Sequence, residues 1–76
     1  MILPDKHVSL ADSILGVGAH LLSELDQPRS VSYLWNRVRD TQDVATFERF
    51  SLALAMLHAL GLVEMKDGEI RKIKND

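Results

Sequence analysis

The sequence contains no cysteine. A disulfide framework and a cysteine-ligated zinc site are therefore excluded, and a reducing cytoplasm is the expected compartment. Cations are not in excess either. Nine Lys and Arg stand against eleven Asp and Glu, a formal net charge of −2, whereas a freestanding nucleic-acid binder usually carries a clear basic surplus. Long apolar runs are missing as well. The uncharged stretches at residues 13–23, with two Gly and a His, and at residues 50–63 both fall short of the ~20 apolar residues that cross a bilayer. The opening Met1-Ile2-Leu3-Pro4-Asp5-Lys6-His7 has no basic start followed by an apolar core, so no secretory signal is expected. No internal repeat, linker or low-complexity segment interrupts the chain.

What is present suits one small domain. The chain has 76 residues, 46% of them apolar and 26% charged, which is globular rather than disordered. A domain of this size buries only ~60% of its unfolded surface, and its stability is expected to lie at roughly 4–11 kcal/mol. A deep private active site is hard to build on that scale. The residues agree. His7, His20 and His58 lie far apart in sequence and no pair has the i, i+4 spacing of a helical metal site. Gly16-Val17-Gly18 lacks the Gly, Lys or Ser/Thr that completes a phosphate-binding loop. No serine has a nucleophile-elbow context. No catalytic residue, metal site or cofactor is expected.

The local signals give an extended arm over residues 1–8, a folded unit over residues 9–73 and a polar tail over residues 74–76. Ser9, with Asp12 three residues later, reads as a capping-box-like helix start. Ile14, Leu15, Gly18, Leu21, Leu22 and Leu25 recur at helical spacing and predict an apolar inward face. Gly16 and Gly18 weaken that helix and read as sites where another backbone packs closely. Asp26-Gln27-Pro28 ends it. Ser30 is a good N-cap for a second helix whose Val31, Leu34, Trp35 and Val38 form an apolar stripe. That stripe predicts a substantially buried Trp35, with a cost of ~3–5 kcal/mol for Trp35→Ala. A third helix starts between Asp43 and Thr46 and runs to Leu60, with Gly61 as its stop signal. Asp67-Gly68 between two strand-like runs predicts a two-residue hairpin that sets Met65 opposite Ile70 and Glu64 opposite Arg71. A short strand over residues 27–29 would pair with it. The fold expected is mainly α with a small hairpin, a winged helix-turn-helix.

A DNA-reading helix-turn-helix presents polar side chains of its third helix to base edges. Here only Glu48, Arg49, Ser51 and His58 are polar beyond the first residue, and a helix that is apolar in most directions is buried on more than one side. The domain's core takes one side. The other side, around Leu52, Ala55, Met56 and Ala59, is covered either by the first helix and the arm or by a partner. Ile2 and Leu3 on the arm extend the same candidate surface, giving Ile2, Leu3, Leu52 and Met56 as the expected partner contacts. Should the domain touch DNA, Arg37, Arg39, Arg49, Lys66, Arg71 and Lys72 are the candidate phosphate contacts.

Three stretches of the chain together resemble a known family. They are Leu3-Pro4-Asp5-Lys6-His7-Val8-Ser9-Leu10-Ala11-Asp12-Ser13-Ile14-Leu15-Gly16, Pro28-Arg29-Ser30-Val31 with Leu34-Trp35, and the run from Leu52 to Glu64 with Asp67-Gly68-Glu69-Ile70. The family is that of the small bacterial middle components, of the sixth type, of ABC-three component systems. The opening segment is the most specific part of the likeness, because the rest is shared by winged helices in general. The resemblance implies a conflict or anti-phage module in which a large SMC/Rad50-like ABC ATPase and an effector-bearing component work with a small, non-catalytic adaptor. It supplies no catalytic motif. A larger ATPase or effector subunit is thus the expected partner, with a second copy of the chain and a weak, complex-dependent DNA contact as further possibilities. The alternative reading is a dimeric winged-helix transcriptional regulator.

Overall fold

A computed structural model describes residues 10–40 and 46–74. Three helices are followed by a hairpin: α1 (Leu10–Ser23), β1 (Arg29–Ser30), α2 (Val31–Val38), α3 (Phe47–Ala59), β2 (Val63–Lys66) and β3 (Glu69–Lys72). The strands form one antiparallel sheet in the order β1-β3-β2. This arrangement is mainly α and compatible with a winged helix. The extended arm expected over residues 1–8 and the Ser9 helix start next to it lie outside the described residues.

Short-range chemistry accounts for most boundaries. The Ser30 hydroxyl accepts from the Tyr33 N–H and starts α2, and the Thr46 hydroxyl accepts from the Arg49 N–H and starts α3, each satisfying one orphan donor of a first turn. At the far end of α3, the Gly61 N–H donates to the His58 carbonyl and the Leu62 N–H to the Leu57 carbonyl. That pair of bonds is a Schellman motif, and it requires the positive φ of +75° at Gly61. Gly61→Ala forces a Cβ into the left-handed region and is expected to cost ~1 kcal/mol, read as a lowered urea midpoint at unchanged slope. In the hairpin, Asp67 and Gly68 both have positive φ, 56° and 81°, as a type I′ turn demands. Met65 faces Ile70 and Glu64 faces Arg71. β1 falls at Arg29–Ser30 rather than residues 27–29 and pairs Arg29 with Ile70.

The core gathers Val17, Leu21 and Leu25 from the first segment, Leu34 and Val38 from α2, Phe50, Ala53 and Leu57 from α3, and Val63 and Ile70 from the hairpin. One expectation is corrected. On α1 the inward face is centred on Val17 and Leu21, so Leu15, two residues before Val17, points outward and is 56% exposed. Trp35 is mostly buried and packs against the core that holds Leu34 and Val38, as its stripe predicts. Its ring lies at the edge of the core, edge-on to Phe47 at 5.2 Å and tilted against Phe50 at 5.3 Å, so the fully buried aromatic of the fold is Phe50.

Candidate functional site

The packing of α3 on α1 produces the most distinctive surface. A Cβ placed at Gly18 would stand 2.9 Å from the Met56 Cε and 3.6 Å from a Leu57 methyl carbon. Gly18 thus admits the Met56 side chain, not another backbone, and Gly16 is simply exposed. That contact fixes which helix faces meet. On α1, Leu15 and Leu22 stand three residues before and four after Gly18, on the same side of the helix. On α3, Leu52 and Ala59 stand four before and three after Met56. The two stripes therefore flank one seam, with Met56 on its floor. Leu52 is 41% exposed, Leu22 and Met56 are half-buried and Ala59 is exposed. No seam residue carries a charge.

The expected partner contacts fall out as follows. Leu52 and Met56 share this seam. Ile2 and Leu3 lie outside the described residues. Leu15 and Leu22 join the surface although their spacing placed them on the inward face of α1. The seam is set by a tertiary contact between Gly18 and Met56, and one-dimensional spacing carries no trace of it beyond the missing side chain at Gly18.

The candidate phosphate contacts are scattered and mostly engaged. The Arg37 Nε donates to the Glu24 carboxylate at 3.2 Å, tying α2 to the end of α1. Arg39 stands 3.8 Å from the Asp40 carboxylate, Arg49 donates to the Ser13 hydroxyl at 3.4 Å, and Arg71 pairs with Glu64 across the wing. Lys66 and Lys72 are exposed and make no ion pair among the described residues. The outward face of α3, formed by Glu48, Ser51, Leu52, Ala55, His58 and Ala59, holds one carboxylate and neither Lys nor Arg. In a groove-reading helix this is the face that meets DNA. A broad cleft of about 820 Å³ between the Leu25–Pro28 turn and the base of the wing is lined by Asp26, Glu64, Arg71, Lys72 and Lys74, and three of these charges are engaged in the Asp26–Arg29 and Glu64–Arg71 pairs. Among the described residues no group of three His, Asp or Glu could hold a metal ion. No helix among them is long and apolar enough to cross a membrane.

Glu24 sits between two basic side chains. The Arg37 guanidinium, and then the His20 ring at 3.2 Å, hold its carboxyl below the ordinary carboxylate range against an opposing desolvation effect. A carboxyl lowered in the folded state contributes stability above its unfolded pKa, and that contribution is lost as pH falls through the folded value. Wild type is therefore expected to melt above Arg37→Met at neutral pH, and the gap between their Tm values is expected to close on acidification below the ordinary carboxylate range. A gap that persists well below that range would remove Glu24 as its origin.

The fold and the seam together define a winged-helix-compatible domain whose first and third helices meet at a seam flanked by the uncharged side chains of Leu15, Leu22, Leu52 and Ala59. The chain belongs to the ABC-three component (ABC-3C) system Middle Component 6 family, whose model matches residues 3–73. No curated protein and no solved structure matches it.

Proposed function

We propose that the protein is a non-catalytic adaptor: a winged-helix middle component that links the ATPase and effector components of a bacterial ABC-three component conflict, or anti-phage, system through protein–protein contacts in the cytoplasm. Family membership supports the presence of partner components. The single observation that carries the adaptor role is the uncharged α1/α3 seam, with Leu15 and Leu52 about half exposed. Exposed apolar residues scattered singly need no explanation, but a contiguous apolar strip marks an interaction site. The larger SMC/Rad50-like ATPase or the effector-bearing subunit is the partner this reading assigns to it.

The test is co-expression of the chain with the two larger components of its own system, followed by purification through a tag on either of them. The chain is expected to co-purify in defined stoichiometry with one or both. Purification of both larger components free of it would count against the adaptor. A DNA titration separates this reading from a transcriptional regulator. Specific protein–DNA complexes reach Kd of about 10⁻⁸ M or tighter at physiological salt. The isolated protein is expected to show no such complex, because the outward face of α3 has no cation to read guanine or hold phosphate. Tight binding to one sequence and not to its scrambled form would favour the regulator.

A further inference from the structure

The wing ends in a free edge. β3 is paired on both sides, β2 on one only, and among the described residues nothing pairs with the outer side of β2. The register fixes which main-chain groups face outward there. Lys66 and Glu69 close the two-residue turn, and at the other end the Ile73 N–H donates to the Leu62 carbonyl at 2.9 Å. Bonded and non-bonded pairs alternate along an antiparallel ladder. Residues 62, 64 and 66 therefore direct their N–H and C=O groups at β3, and Val63 and Met65 direct theirs away from it.

Beside this edge runs a mostly apolar groove of about 240 Å³, lined by Leu54, Ala55 and His58 of α3 and by Val63, Glu64, Met65 and Ile70 of the wing. Met65 is 58% exposed. Natural edge strands are usually kept short and charged so that they do not pair. β2 is short and does carry charges, but they alternate in sign, Glu64 then Lys66, which makes the strand complementary to itself.

We propose that β2 pairs antiparallel with β2 of a second copy, centred on Met65, so that the two wings form one continuous sheet across a two-fold axis. Charge complementarity selects the register. Centred on Met65, the two Met65 residues exchange both main-chain hydrogen bonds, and Glu64 of each copy faces Lys66 of the other. Shifted by one residue and centred on Glu64, the pairing sets two Glu64 carboxylates opposite each other, which is unfavourable. In the chosen register the Met65 side chains lie side by side on the face that carries Val63 and Ile70, each next to the other copy's groove. The contact uses none of the seam residues Leu15, Leu22, Leu52 and Met56, so its failure and the failure of the adaptor reading are separate results.

Sedimentation equilibrium on the full chain tests the proposal. Wild type is expected to dimerise, more weakly as ionic strength rises, because the cross-strand pairs are exposed. Lys66→Glu and Glu64→Lys each turn the two opposite-charge pairs between the copies into like-charge pairs and are expected to weaken self-association on the order of tenfold. Within the hairpin they also set like charges against Glu69 and Arg71 respectively, so circular dichroism checks their fold. Mixing the two variants restores opposite charges at both positions and is expected to yield a one-to-one heterodimer, a gain that a folding defect cannot produce. Met65→Pro deletes the outward N–H while leaving the β2–β3 bonds in place and is expected to be a folded monomer by circular dichroism and sedimentation. A wild-type chain that stays monomeric at millimolar concentration overturns the proposal. So does a folded Met65→Pro chain that dimerises like wild type, or a pair of folded charge variants that gain nothing on mixing.

Discussion

Leu52→Glu, alone or with Leu15→Glu, is expected to abolish capture of the chain by its larger partner while leaving it folded. Both side chains are about half exposed in the free chain, so a carboxylate there stays hydrated and the monomer loses little. Within the complex the situation reverses. Each leucine contributes up to ~1.5–3 kcal/mol when fully covered, and the replacement leaves a charge to be desolvated without a partner. A combined loss of ~3–4 kcal/mol is a few-hundred-fold drop in affinity. Calorimetric titration of the purified partner, with circular dichroism of each variant as the folding control, reads this directly. Met56→Glu serves as the contrast. Met56 sits on the seam floor against Gly18, so its charge disturbs the α1/α3 contact and is expected to lower stability as well as binding.

The second large effect is on the core. Phe50 is completely buried and the largest of the fully buried side chains, and its ring touches both Trp35 and Phe47. Phe50→Ala is expected to cost ~3–5 kcal/mol, which is most of the ~4–11 kcal/mol a chain of this length is expected to have. In thermal terms that is a fall in Tm on the order of 20 °C. Trp35→Ala, at a mostly buried site that keeps Leu34 and Val38 beneath it, is expected to cost less, ~2–3 kcal/mol. Urea unfolding of the two variants side by side should therefore rank Phe50→Ala as the more damaging. The opposite ranking would mean that Trp35, and not Phe50, anchors the junction of α2 and α3.

That ranking also shows which features can be read from sequence. Ser30, Gly61 and Asp67-Gly68 act within a few residues of themselves. Their caps, stop signal and turn come from side chains and φ values that depend on neighbours in sequence, and the hairpin register follows from the turn. The burial of Trp35 depends instead on where α3 lies, and Phe50 and Phe47 on that helix decide it. The same holds for the seam. Leu15 and Leu22 have helical spacing with Ile14, Leu21 and Leu25, and nothing local distinguishes a leucine that meets the core from one that flanks it. The angle at which α3 crosses α1, with Met56 seated on Gly18, makes that distinction. The scattered arginines illustrate the same limit from the other side. Arg37 and Glu24 are 13 residues apart, and only the fold pairs them.

The central claim, that the α1/α3 seam is the surface a larger component covers, is tested most directly by site-specific photo-crosslinking in the reconstituted three-component complex. A photoreactive phenylalanine analogue replaces Leu15 or Leu52 on the seam, Lys72 on the wing, or Arg39 at the end of α2, one position at a time. The account predicts crosslinks to the ATPase or effector subunit from the two seam positions and none from Arg39 or Lys72. Crosslinks to those subunits from Lys72 or Arg39, with Leu15 and Leu52 silent, would contradict it.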